Sequence, residues 1–209
     1  LLLGTGKMGI HLREGNVVEI LLFQGIEDGL CLYHSTLEGL RTNADRTDGL
    51  FQSMFLAGGL TLSQVSTVSG LEPYAIQNWV KRGFLAGPKA KRYDMEQVCR
   101  IIIINMLKGA LPLEQICSLI SYINGSLTDE SDDIIDDTML YFMFVKLAAN
   151  YRMMHDNSGR DHAIDEMLAE YKEPVPGAKE RVKKVLQIML TAWAADLLHQ
   201  ETEKMVEAL

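Results

Sequence analysis

The sequence has little of what staples, breaks or anchors a chain. Three of its 209 residues are cysteine (Cys31, Cys99, Cys117). An odd number with no CxxC spacing gives neither a disulfide framework nor a zinc or redox motif. Cys99 and Cys117 stand among apolar neighbours, as small buried thiols do, and a reducing, cytoplasmic setting is expected. The apolar runs are short. "IIIINML" follows Arg100 and "VVEILLF" contains Glu19, both far below the ~20 residues that cross a bilayer, so neither a membrane partner nor a signal peptide is expected. Motifs of catalysis are missing too: no HExxH, no GxSxG, and no Ser/His/Asp or Cys/His grouping. "GTGK" at 4–7 is too short for a phosphate-binding loop. His155 and His162, in "HDNSGRDH", lack any metal-ligand spacing and read as loop histidines. The expectation is a protein that is not an enzyme, with no cofactor and no metal.

Basic charge is also scarce. Lys and Arg number 20 against 28 Asp and Glu, for a net charge of −8, which argues against non-specific coating of nucleic acid or anionic membrane. What basic charge there is has been gathered into one place. Residues 60–109 hold seven Lys/Arg and three acids, +4, so the rest of the chain carries −12. Between Lys81 and Arg92 stand five basic residues and no acid.

Hydrophobic spacing is helical and strand alternation almost absent, so the fold class is mainly α. Helices are expected around 30–42 and 49–57, among many glycines. From Thr61 the punctuation sharpens. Thr61 or Ser63 can cap a short helix to Ser69, which Gly70 ends with left-handed backbone. Glu72 and Pro73 open a second helix to Arg82, with proline in the first turn where its missing N–H costs nothing. Asp94 caps a third over 95–108, and Pro112 starts a fourth to about Ile123. Further helices are expected over about 132–154, 161–172 and 178–207. The last carries Val182, Val185, Leu186, Met189, Leu190, Trp193 and Leu197 at spacings of three and four, with Ile188, Ala192 and Ala195 broadening the stripe. That breadth suggests packing within the chain plus a share of a homodimer interface.

The first two of the sharply bounded helices, joined by "SGLE", have the spacing of a helix-turn-helix. Val65, Val68, Leu71, Ile76 and either Trp79 or Val80 would form its small core, with Trp79 favoured as core rather than as a stacking ring. Such a unit offers its second helix to the major groove, and Tyr74, Gln77, Asn78, Lys81 and Arg82 are the polar residues there. Gln and Asn can pair with adenine, Lys and Arg with guanine or phosphate. In "GFLAGPKAKRYD", Gly83, Gly87 and Pro88 turn the chain into a small basic wing. On it Lys89, Lys91 and Arg92 would grip phosphate, Lys89 and Lys91 sharing a side if the segment is extended. Tyr93 would anchor the wing.

Over residues 60–120 the order "LTLSQVSTVSGLEPYAIQNWVKRGFL", a wing ending in "KRY", then "DMEQVCRIIIINMLKGALPLEQI" resembles the DNA-binding domain of the mercury-resistance-regulator (MerR) superfamily. "AIQNWVKRGFL", "PKAKRY" and the Ile-rich helix resemble more closely the bacterial family called domain of unknown function 1836. The resemblance implies a MerR-like winged helix-turn-helix and a bacterial transcriptional regulator binding double-stranded DNA. The likeness is expected to run on through "DESDDIIDD" into the helical tail. At 77 and 78 this chain has Gln and Asn where MerR regulators often carry Arg and Tyr, and Gly125 interrupts the position of their long coiled-coil helix. No cysteine pair resembles their metal-sensing site.

"DESDDIIDDT" (129–138) fails as a calcium loop, with Ile134 where glycine is needed and Leu140 where the terminal glutamate should be. Asp132 and Asp133 are instead expected at a helix N-terminus, where carboxylates suit the dipole. The chain thus divides into a segment 1–48 to which the sequence assigns no role, a winged helix-turn-helix at 49–123, and a helical C-terminal domain at 124–209. The alternative to DNA binding is a protein-interaction module of the same fold, its basic edge meeting an acidic partner.

Overall fold

Thr61 sets the first well-defined element by a reciprocal cap. Its hydroxyl accepts from the Gln64 N–H (3.4 Å), and the Gln64 side chain accepts from the Thr61 N–H (2.9 Å), so two of the helix's orphan donors are satisfied. The structure is a computed structural model that describes residues 54–56, 58–125, 127, 132–151 and 157–209. The helix expected over 30–42 lies outside these residues. Of the one expected over 49–57, Met54–Leu56 form a turn and the remainder lies outside the described residues.

The described residues are mainly helical. A two-residue strand β1 (Leu60–Thr61) leads into α1 (Leu62–Ser69) and α2 (Pro73–Lys81). Strand β2 (Arg92–Tyr93) precedes α3 (Met95–Leu107), α4 (Leu113–Asn124), α5 (Asp137–Ala149), α6 (Asn157–Met167) and α7 (Ala178–Glu207). The strands pair antiparallel, Leu60 opposite Tyr93 and Thr61 opposite Arg92. Gly70 ends α1 at φ 68°, a left-handed conformation that glycine adopts without steric cost. Gly59 makes a close approach instead: a Cβ there would lie 2.6 Å from the Tyr93 carbonyl oxygen.

The Ile-rich run becomes the central helix. Val98, Cys99 and Ile101–Ile104 of α3 are all buried, as a helix apolar on every side must be. It packs most extensively on α5, and α7 crosses α3, α4, α5 and α6. Trp193 of α7 meets Phe144 and Tyr151 edge-on, at 6.4 and 5.5 Å between ring centres, geometries that aromatic pairs prefer. Trp193 is thus largely internal. Cys99 is buried and Cys117 half-buried, both free thiols.

Two boundaries differ from expectation. The helix expected from 132 begins at Asp137, because Ile134 donates its N–H to the Ile123 carbonyl (3.0 Å) at the end of α4. The Ile134 carbonyl in turn accepts from the Tyr171 hydroxyl. Tied at both polar groups, Ile134 belongs to a connector, and Asp136 becomes the cap by accepting from the Met139 N–H (2.7 Å). The acids at the helix start are therefore Asp136 and Asp137 rather than Asp132 and Asp133. The helix expected over 161–172 instead spans Asn157–Met167. Beyond it the chain tightens into turns, with Ala169 bonded to Glu166 and Tyr171 to Leu168, which brings the Tyr171 hydroxyl to Ile134. No helix among the described residues is long and apolar enough to cross a membrane.

Candidate nucleic-acid interface

The sequence of α2 places its two faces by simple periodicity. Ile76 and Trp79 point inward, 0% and 5% exposed, and Val80 packs at the margin of the core. The opposite face carries Tyr74, Gln77, Asn78 and Lys81, all exposed, at the i, i+3, i+4, i+7 spacing of one helical stripe. Tyr74 is 72% exposed, unusual for so large a ring. Among the described residues the Lys81 ammonium has neither ion pair nor hydrogen bond.

The loop that follows is built as a hairpin tip. Arg92 donates its N–H to the Lys89 carbonyl (2.9 Å), and the two residues bridge antiparallel. Ala90 and Lys91 between them have φ 49° and 63°, the pair of positive values that a type I′ turn requires. Lys89 and Lys91 are therefore not alternate residues of an extended strand. They stand at corners of a tight turn, both exposed, and neither ammonium has a partner among the described residues. Tyr93 is 2% exposed and anchors the base of the loop, and burial raises its phenol's pKa.

Gln97 holds the root of the loop. Its N–H donates to Asp94 Oδ1 (2.9 Å) and its Oε1 accepts from the Asp94 N–H (3.0 Å), a capping box for α3. Its amide nitrogen also donates to the Ala86 and Gly87 carbonyls, at 3.2 and 2.9 Å. One side chain thus caps a helix and pins the loop to it.

Two of the expected cations are already engaged. The Arg82 guanidinium pairs with Glu114 of α4 and lies over the Phe84 ring at 4.5 Å. Arg92 Nη1 donates to the Gly59 carbonyl at 2.7 Å, holding β2 to the residue before β1. The described cationic edge therefore consists of Lys81, Lys89 and Lys91, with Arg82 and Arg92 bracing it. On its inner side Lys89 reaches a cavity of about 340 Å³ whose walls include Leu85, Gln97, Arg100, Asp133 and Asp137.

A buried polar cluster escaped the sequence reading. Arg100, in the middle of α3's apolar run and 9% exposed, donates from Nε to Asp137 Oδ2 (2.5 Å), and Asn124 Nδ2 donates to Asp137 Oδ1 (3.0 Å). Burial raises the Asp137 carboxyl's pKa, and the charge and hydrogen bond of Arg100 oppose that shift. The signal was present: a lone arginine among isoleucines must either leave the core or find an acid inside it. His162 is exposed on α6, and His155 lies outside the described residues.

The geometry belongs to a segment with recognisable relatives. Residues 59–144 match the protein family described as "Domain of unknown function (DUF1836)". Among curated proteins, the "Uncharacterized protein YkrK" of Bacillus subtilis (strain 168) is 31% identical over 84 residues, 38% of this chain and 36% of that protein. The chain thus spans a little over a third of that relative's length. No solved structure matches this chain. The likeness to domain of unknown function 1836 holds across both short helices, the basic loop, α3, α4 and the acidic connector. It ends within α5, short of the helical tail.

Proposed function

We propose that residues 49–123 form a MerR-like winged helix-turn-helix and that the protein binds double-stranded DNA as a bacterial transcriptional regulator. The observation that carries this reading is the exposed stripe Tyr74, Gln77, Asn78 and Lys81 on a helix whose other face is core, beside a tip bearing two uncompensated lysines. In this reading α1 crosses the backbone and α2 enters the major groove. Gln77 and Asn78 read adenine edges, and Lys81 takes guanine or phosphate. Lys89 and Lys91 hold flanking phosphates. Arg82 and Arg92 act from behind, Arg82 fixing α2 against α4 and Arg92 fixing the loop against β1.

Selection from a randomised duplex pool, followed by titration between about 50 and 200 mM salt, tests this. A preferred sequence should emerge, with affinity falling steeply as salt rises. Replacing Lys81, Lys89 and Lys91 together by alanine should lower the log–log salt slope by about 1.8 if Lys81 reads guanine and about 2.7 if it holds phosphate, roughly 0.9 for each phosphate no longer neutralised. Gln77→Ala with Asn78→Ala should relax base preference and leave the slope nearly unchanged. No enrichment, or a slope indifferent to the three lysines, would sink the reading and assign the basic edge to an acidic protein partner.

A further inference from the structure

Every arginine of the family-matched segment is held within the chain. Residues 59–144 contain three, Arg82, Arg92 and Arg100. Arg82 is engaged by Glu114 and the Phe84 ring, Arg92 by the Gly59 carbonyl, and Arg100 is buried against Asp137. This limits what α2 can read. Guanine shows two acceptors, O6 and N7, in the major groove, and its commonest specific partner is the two-pronged fork of arginine. None of these three arginines stands ready to supply that fork.

The exposed face of α2 carries a different chemistry. Gln77 and Asn78 are consecutive carboxamides, both exposed, and neither side chain has a hydrogen-bond partner among the described residues. A carboxamide offers a donor and an acceptor side by side, which match the N7 acceptor and N6 amino group of adenine. Against guanine its carbonyl oxygen would meet a second acceptor. The two side chains leave the helix about 100° apart, so they reach neighbouring base pairs rather than the same one. One turn before Asn78, near the helix start where base contacts concentrate, stands the Tyr74 ring, 72% exposed. Its apolar surface suits the methyl group of thymine. Lys81 lies about 10 Å from Tyr74 along the axis, at the far end of the helix and nearer the backbone.

We infer that this face of α2 selects two adjacent A·T pairs and rejects G·C at both. The inference rests on the DNA-binding reading above and narrows it. Gln77 and Asn78 each pair with one adenine, Tyr74 packs on a thymine methyl, and Lys81 goes to phosphate. The core of the site is then AA, AT or TA, since the amides do not fix which strand carries each adenine. Rejection matters here as much as attraction. A guanine would leave a desolvated carboxamide oxygen facing an acceptor, with no arginine of the segment in place to answer it. Each such mismatch is expected to weaken binding roughly 5-fold or more.

Selection by the full chain from a randomised duplex pool, then titration of the winning duplex with altered bases, tests it. The winner should hold two adjacent A·T pairs at its core. Placing 7-deazaadenine, which lacks the N7 acceptor, at either of them should weaken wild-type binding roughly 5-fold. Each swap should lose its effect in one of Gln77→Ala and Asn78→Ala. Uracil for thymine removes one methyl and should weaken wild-type binding about 3-fold, but leave Tyr74→Ala unaffected. Asn78→Arg should move the preference at one core position from A·T to G·C, which a merely structural role for Asn78 would not do. These side chains are exposed, so the circular dichroism and melting of the variants should match the wild type. Selective binding with G·C at the core, still dependent on the three lysines, would overturn the inference and leave the DNA-binding reading standing. So would an A·T core indifferent to 7-deazaadenine and to both alanine variants, because the preference would then come from DNA shape. No enrichment of any sequence would remove both.

Discussion

Ala90 and Lys91 hold positive φ angles of 49° and 63°, a region where a residue bearing a Cβ costs about 1–2 kcal/mol. Glycine is free of that steric cost but loses more chain entropy on folding. Ala90→Gly is therefore expected to stabilise the fold by about 0.5–1 kcal/mol, read from urea midpoints. A loss of stability would mean that the turn is not of the primed kind. A second residue-scale test concerns Asp137. Removing its carboxylate leaves Arg100 buried and unpaired, so Asp137→Ala should cost about 3–5 kcal/mol. Arg100→Met with Asp137→Leu should cost clearly less than the two single changes added, as a double-mutant cycle would show. The pH dependence has a definite sign. A carboxyl raised on folding above its ordinary 3.8 binds more protons folded than unfolded. Between those two values stability falls as pH rises. Wild type should therefore lose stability relative to Asp137→Asn as pH climbs through that window, and a rise would show that Arg100 outweighs burial.

At the scale of elements, caps decide where helices begin, and one residue has two such duties. Gln97 completes the α3 capping box and donates to the Ala86 and Gly87 carbonyls. Gln97→Glu can keep the first and must lose the second, because it has no amide donor. The α3 start should survive by circular dichroism, while amides near 86–91 exchange faster and stability drops by about 1–2 kcal/mol. Equal protection in both proteins would show that the loop is held elsewhere. Much at this scale was legible in the sequence. Thr61, Gly70, Pro73, Asp94 and Pro112 carry local signals, and the structure puts helix ends within a residue or two of them. The start of α5 was not legible, because Ile134 is held by a carbonyl eleven residues back and a hydroxyl from residue 171. Its helical spacing said nothing of either. The candidate site divides the same way. The exposed stripe of α2 follows from period alone, whereas the engagement of Arg82 by Glu114 and of Arg92 by Gly59 depends on partners more than 30 residues apart in sequence.

For the whole molecule, a chain with net charge −8 approaches a polyanion only if its basic edge is turned toward it and its acidic body away. If the proposed DNA binding holds, association should be slower, and should fall less steeply with salt, than that of a uniformly basic domain. The buried Arg100–Asp137–Asn124 cluster joins α3, α4 and α5, so the basic segment and the C-terminal helices share one core. They are expected to unfold together: a single calorimetric transition, with matching calorimetric and van't Hoff enthalpies. Two resolved transitions would show that the halves fold independently.

Helix α7 spans 30 residues without a proline or a glycine, about 45 Å at roughly 1.5 Å per residue. Its first half is clamped in the core and its second half stands free, so there is no joint between the part that is held and the part that projects. Such a rod works as a ruler. Whatever grips its far end fixes both the distance and the rotation of the basic edge carried by the body, and two bodies joined there would present their edges at one set separation. Insertion of a single residue into the arm would turn the gripped end by about 100° and move that separation, although no residue touching a ligand had changed.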